Sequence, residues 1–159
     1  MEQFLLSLVT GFGYIGVFLA SAISSATIFL PVPGYLVIPF AVTVLDPLFV
    51  GIAAGIGSAL GEMTGYGVGF GSGRLAARKK EFAAWFARLE KLFARHNGML
   101  IIFVFSSLPL PFDALGLFCG AIKYDAKKFF IAGAAGKTVR YVTLSYAAAM
   151  GIHIIDGLF

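Results

Sequence analysis

The sequence predicts an all-α integral membrane protein built as an inverted repeat, and three observations predict it. The chain is 59% hydrophobic and 13% charged, with a mean hydropathy of +0.91, outside the range of a soluble domain. The tetrapeptide Leu-Pro-x-Pro occurs at residues 30–33 and again at 108–111, a shift of 78 residues. Ten of the twelve lysines and arginines fall in two blocks, 74–95 and 123–128. The positive-inside rule places both blocks in the cytoplasm of a multi-pass cell-membrane protein, and the ends marked by Glu2, Asp46 and Asp156 outside.

Sliding the chain over itself by the same shift also matches Phe40 with Phe118, Ala54 with Ala132 and Gly55 with Gly133. It sets Glu62 against Arg140, each inside an apolar stretch. With 159 residues and about 20 needed per span, a single membrane domain over 1–159 holds two or three full crossings plus shorter pieces. Glu2 is the sole charge before Asp46, so the N-terminus lacks the basic region of a signal peptide and reads as retained membrane structure.

The elements follow in order. Residues 4–29 are apolar and long enough to span, and Pro31, Pro33 and Gly34 then break the helix. Residues 35–45 are apolar again, but eleven residues rise about 17 Å against a hydrocarbon core of about 30 Å. The economical solution is a re-entrant hairpin that enters from outside and returns to the same side. Residues 48–72 then cross fully, completing a first repeat over 4–72.

Segment 74–96 places Phe82, Trp85, Phe86, Leu89, Leu92 and Phe93 at helical spacing, with Arg78, Lys79, Arg88, Lys91 and Arg95 at other positions. This pattern describes a cytoplasmic amphipathic helix. Its apolar stripe either lies in the membrane interface or packs on the protein itself, and Asn97-Gly98 ends it. The second repeat, 98–155, follows the same plan from the opposite side. An apolar arm over 99–108 is broken at Pro109 and Pro111, a nine-residue return covers 114–122, and 129–155 crosses outward. Both termini then face outside. Two spans and two hairpins form a thin bundle that a homodimer would bury better.

Glu62 and Arg140 fall near the middle of their helices, where a lone charge costs about 2.5–3.5 kcal/mol on insertion scales. Lys137 shares a helix face with Arg140, and Asp113 follows the second proline break. These four groups describe either a polar cavity holding an anionic headgroup or a structural Glu62–Arg140 ion pair that fixes helix register. Tyr66, one turn beyond Glu62, is placed to hydrogen-bond it or a ligand. The two breaks would leave backbone groups free to meet a headgroup. Glycines at 57, 61, 65, 69 and 73 form a stripe that permits close helix approach.

Other classes fit poorly. Nucleic-acid binding is disfavoured by the membrane setting. Gly67-Val-Gly-Phe-Gly71 lacks the strand and the Gly-Lys-Ser/Thr of a phosphate loop. His96 and His153 fall near opposite membrane faces, so no metal or other cofactor is expected. Cys119 reads as a small core residue. Ser106 and Ser107 have no base nearby in sequence, so an enzyme is not expected.

The motif order Leu30-Pro-Val-Pro-Gly34, Gly61-Glu-Met-Thr-Gly-Tyr-Gly-Val-Gly69, Ser107-Leu-Pro-Leu-Pro-Phe-Asp113 and Gly136-Lys-Thr-Val-Arg-Tyr141 resembles the DedA family. Its members are also called VTT-domain or SNARE-associated Golgi proteins, and the likeness is greatest to the short YqaA-like branch. The resemblance covers roughly residues 20–150. It implies two facing re-entrant helices and a role in moving lipids between leaflets, such as polyprenyl phosphates or phospholipids. The chain departs from the family in carrying Tyr35 where many members have an acid, and Ser106 and Phe112 where many have arginines. Glu62, Asp113, Lys137 and Arg140 remain as the charged set. The expectation is thus a flippase or scramblase with membrane lipids of anionic headgroup as partners. A proton- or ion-coupled carrier of a small solute and a non-transporting scaffold are the alternatives.

Overall fold

The computed structural model describes residues 7, 9–26, 37–72, 80–108 and 112–156. Both expected breaks, at Pro31, Pro33 and Gly34 and at Pro109 and Pro111, lie outside the described residues. Among those residues the fold is all helix: α1 (Tyr14–Ala26), α2 (Val37–Ala41), α3 (Pro47–Ser72), α4 (Lys80–Arg95), α5 (Gly98–Ser107), α6 (Phe112–Ala121) and α7 (Ala126–Asp156). The first expected span is not one helix. Residues 9–12 are helical, but Gly13 turns at φ +55° before α1 begins, a conformation that glycine adopts without a steric cost.

α3 is the central element and uses a different set of small residues on each face. A Cβ on Gly51 would stand 2.5 Å from Val142 Cα, and one on Gly55 2.6 Å from Thr138 Cα. One turn forward along α3 is therefore one turn back along α7, so the two run antiparallel with their backbones in contact. Side chains on Gly57 and Gly61 would collide with the carbonyl oxygens of Phe18 and Ala22 in α1, and one on Gly69 with that of Leu117 in α6. The glycine stripe anticipated around Glu62 thus seats α1 and α6. Approach to α7 depends instead on Gly51 and Gly55. Gly65, in the middle of the stripe, has open space at its Cβ position.

Each half of the chain leaves a point and returns to it. The backbone N–H of Asp46, just before α3, donates to the Tyr14 hydroxyl at the start of α1 (3.1 Å), and the Tyr14 ring meets Phe49 edge-on at 5.8 Å. In the second half, Gly98 at the start of α5 lies so close to Tyr124 that a Cβ would sit 2.9 Å from its ring. Phe93 closes on the same ring at 5.8 Å. Because α3 and α7 are antiparallel, these two closures lie at opposite ends of the molecule. The internal shift reappears in the packing. Ser25 and Ser58 share a hydrogen bond at 2.6 Å, and the pair 78 residues later, Phe103 and Gly136, is also in contact, with a Cβ on Gly136 meeting the Phe103 carbonyl.

Two apolar cores follow from this arrangement, one at each closure. Val17, Ala20, Val37, Ile38, Ala41, Val50 and Ala54 form the first. Tyr66, Phe86, Leu89, Ile102, Phe112, Leu115, Phe118 and Phe129 are members of the second. The amphipathic α4 contributes Phe86 and Leu89 to the second core, and Phe86 and Phe93 stack edge-on against Phe118 at 5.3 and 5.2 Å. For these residues the apolar stripe packs on the protein, while Arg88, Lys91 and Arg95 stay exposed.

α6 ends in a Schellman turn, with Tyr124 N–H donating to Cys119 O and Lys123 N–H to Gly120 O. Lys123 occupies its left-handed position at φ +55°. Outside the cores, large apolar side chains face outward, Ile15 at 65%, Phe49 at 56% and Ile131 at 58% exposure. Among the described residues, α3 is the one helix both long and apolar enough to cross a membrane. α7 is longer, at 31 residues, but carries Lys137 and Arg140 within it.

The glycine geometry gives a sharp stability contrast. Gly61→Ala, which drives a methyl into the backbone of α1, should cost about 1–3 kcal/mol. Gly67→Ala, with open space around it, should be neutral or slightly stabilising. Thermal unfolding of the two variants in one detergent checks this.

Candidate functional site

Two of the four expected charged residues, Glu62 and Lys137, meet where α3 and α7 cross. Ser58 and Glu62 lie one turn apart on α3, hence on one face. Lys137 reaches across from α7 to both. Its Nζ donates to Ser58 Oγ at 2.6 Å and forms an ion pair with Glu62 Oε1. Lys137 is buried to 4% exposure, and its Nζ stands 5.4 Å from the centroid of the Phe112 ring. An ammonium has donors and no acceptor, so Ser58 must accept from Lys137. Ser58 Oγ also shares a hydrogen bond with Ser25 Oγ. A chain of hydrogen bonds therefore links Lys137, Ser58 and Ser25, tying α7 through α3 to α1.

Glu62 does not pair with Arg140, and the antiparallel crossing explains why. Moving one turn along α7 from Lys137 to Arg140 moves away from Glu62, so equivalent positions in the two halves do not face each other. The half-buried Arg140 instead points its guanidinium at the end of α5, with Nη1 3.5 Å from the Leu108 carbonyl, and its Cζ is 6.0 Å from the Tyr141 ring. Asp113 sits in the first turn of α6 and is exposed. The second carboxylate oxygen of Glu62, Oε2, is buried and has no hydrogen-bond partner among the described residues.

Tyr66, expected to bond Glu62 or a ligand, does not bond Glu62. Its ring is buried among Phe70 and Phe129, and its hydroxyl donates to the Tyr124 carbonyl at the second closure. Tyr66 thus locks the return of α6 to the end of α3. Burial there pushes the Tyr124 phenol above its ordinary value, with Cys119 and Asp125 adding to the effect.

Ser106 and Ser107 both donate back to the Phe103 carbonyl, at 2.9 and 2.8 Å. Cys119 is buried and unbonded. Among the described residues no group of three His, Cys, Asp or Glu side chains could hold a metal. Ser58 and Ser25 were not singled out in the sequence. One signal was available: Ser58 stands one turn before Glu62 and is the one polar side chain between Leu48 and Leu60.

A family model, the VTT domain, matches residues 32–150, a span that contains Glu62, Asp113, Lys137 and Arg140. The chain belongs to the VTT-domain (DedA) family. VTT-domain proteins are membrane-associated, are commonly linked to transport and are generally regarded as non-enzymatic. Compared with curated proteins and with solved structures, this chain matches none.

Breaking the buried pair on one side, by Lys137→Met or by Glu62→Leu, should destabilise this VTT-domain protein by about 3–5 kcal/mol, because the partner is left as an uncompensated charge. Removing both together should recover most of that loss. Unfolding in detergent across the double-mutant cycle measures the coupling.

Proposed function

We propose that this VTT-domain protein is an integral membrane lipid transporter of the flippase or scramblase type. Its substrate is an anionic, phosphate-bearing lipid such as a polyprenyl phosphate or a phospholipid. The observation that carries this reading is the division of labour between the two cations. Lys137 is neutralised by Glu62 and held by Ser58, whereas Arg140 is half-buried, unpaired with Glu62, and directed at the C-terminal end of α5. A guanidinium beside an interrupted helix is suited to a phosphate, which it binds through parallel hydrogen bonds. Lys137 and Glu62 then hold Arg140's helix in place, and Asp113 balances its charge between substrates.

The membrane placement follows from the same framework. The two closures at opposite ends of the α3–α7 pair support two re-entrant hairpins that open to opposite faces of the bilayer, related as inverted repeats. The end bearing α4, Lys123, Lys127 and Lys128 is cytoplasmic by its positive charge, which puts both termini outside. A headgroup crosses between the hairpins while its chains stay in the lipid.

The test is lipid flip in liposomes with purified protein. Wild type should accelerate the movement of a fluorescent anionic lipid. Arg140→Ala should reduce the rate to that of empty liposomes while leaving thermal stability within about 0.5–1 kcal/mol, the range of a partly exposed side chain. Wild-type rates equal to empty liposomes across several anionic lipids would sink the reading. Solute uptake driven by a pH gradient and lost in Glu62→Gln would favour a coupled carrier instead, with the unpartnered Glu62 Oε2 as its proton acceptor.

A further inference from the structure

A second feature lies outside the charged crossing. On the surface between α3 and the start of α7 lies a groove with a volume of about 390 Å³, lined by Leu60, Met63, Ala126, Lys127, Phe130 and Ile131. That volume falls within the range of small-molecule sites. Leu60 and Ile131 are 49% and 58% exposed, so the groove is open to the surroundings along its length. It runs from Leu60, near the middle of α3, to Lys127 in the first turn of α7.

The lining is apolar throughout, Lys127 contributing the alkyl stem of its side chain, and the cations stand around one end of it. Lys127 borders the groove, with Lys128 beside it and Lys123 one turn back in the preceding loop, all three exposed. Lys123 Nζ stands 5.6 Å from the exposed Phe70 ring, which keeps it on the α3 side. The nearest acid, Asp125, has its Oδ1 engaged by the Lys128 backbone N–H at 2.9 Å. Three cations against one capped carboxylate give this end a net positive field at the level where headgroups lie. An apolar trough in the hydrocarbon layer that terminates at a lysine is complementary to one kind of molecule. That molecule has an alkyl chain for the trough and a negative group at the interface.

We infer that the α3–α7 groove is a binding site for an anionic phospholipid, one acyl chain lying along Leu60, Met63, Phe130 and Ile131 and the phosphate meeting Lys127. The site depends on the chain lying in a membrane and not on lipid flip. It is separate from the Arg140 position, which faces α5 on the other side of α7's contact with α3. Its occupant holds the basic start of α7 against the leaflet while the central site operates.

The test uses full-length protein in phosphatidylcholine vesicles containing a small fraction of phosphatidylglycerol with a photoactivatable group on its acyl chain. After irradiation, the labelled peptides are mapped by mass spectrometry. Label should concentrate on residues 60–63 and 126–131 over the equally lipid-exposed Ile15 and Phe49. Lys127→Ala should lower it about fivefold, the contribution of one lysine near an anionic surface. Arg95→Ala, the same loss of charge on α4, should leave it unchanged. A phosphatidylcholine probe with the same photoactivatable chain should label the groove weakly, with no response to Lys127→Ala. Label spread evenly over the lipid-facing surface, equal labelling by the two probes, or indifference to Lys127→Ala would overturn the assignment. The flip rate of the same variants is read separately, so failure of the transport reading and failure of this site are distinguishable.

Discussion

A lysine ammonium held at 4% exposure between two apolar cores imposes conditions on everything around it. In a medium of low dielectric an unpaired cation costs several kcal/mol, and a partner repays that only with good geometry and further hydrogen bonds. Lys137 therefore requires Glu62 and Ser58 together, and both must come from the facing helix. That requirement brings the α3 and α7 backbones into contact, which they reach because Gly51 and Gly55 carry no side chain where Val142 and Thr138 pass. Ser58 extends the requirement to a third helix through its hydrogen bond with Ser25. The crossing thus couples a charge constraint to a packing constraint.

Internal symmetry supplies the frame, and departures from it supply the chemistry. The register position occupied by Ser25 and Ser58 in the first half is occupied by Phe103 and Gly136 in the second. One is a hydrogen bond, the other a close approach of glycine to a carbonyl. Likewise Glu62 has Arg140 as its counterpart, and the residue equivalent to Lys137 is Ala59. A symmetric scaffold therefore carries a one-sided site, with the neutralised pair toward α1 and the remaining cation toward α5.

Much of this was legible in residue order. The long helices begin and end within a few residues of the apolar limits 48–72 and 129–155, and α4 ends at Arg95, beside the Asn97-Gly98 stop signal. The charged membership of the cluster was also legible, because an ionisable group in an apolar helix is costly wherever it lies. Other features were not. Gly13 breaks the first apolar stretch, though its hydropathy is continuous. Tyr66 lies on the sequence-predicted face beside Glu62, but a phenol is long enough to reach the Tyr124 carbonyl at the helix end. The glycine stripe was visible as a stripe, yet which helix each glycine admits depends on crossing angles that no single helix encodes.

By itself the sequence determined composition, period and spacing: a helical membrane chain, repeated once with a shift of 78 residues, with two acids and two cations in or beside its apolar segments. Those properties belong to single elements and to the solvent they require. The tertiary structure decided which charges meet. A linear match aligns Glu62 with Arg140, but antiparallel helices bring together positions that ascend on one and descend on the other. Lys137 therefore takes the carboxylate, and Arg140 is left with its charge at the end of α5.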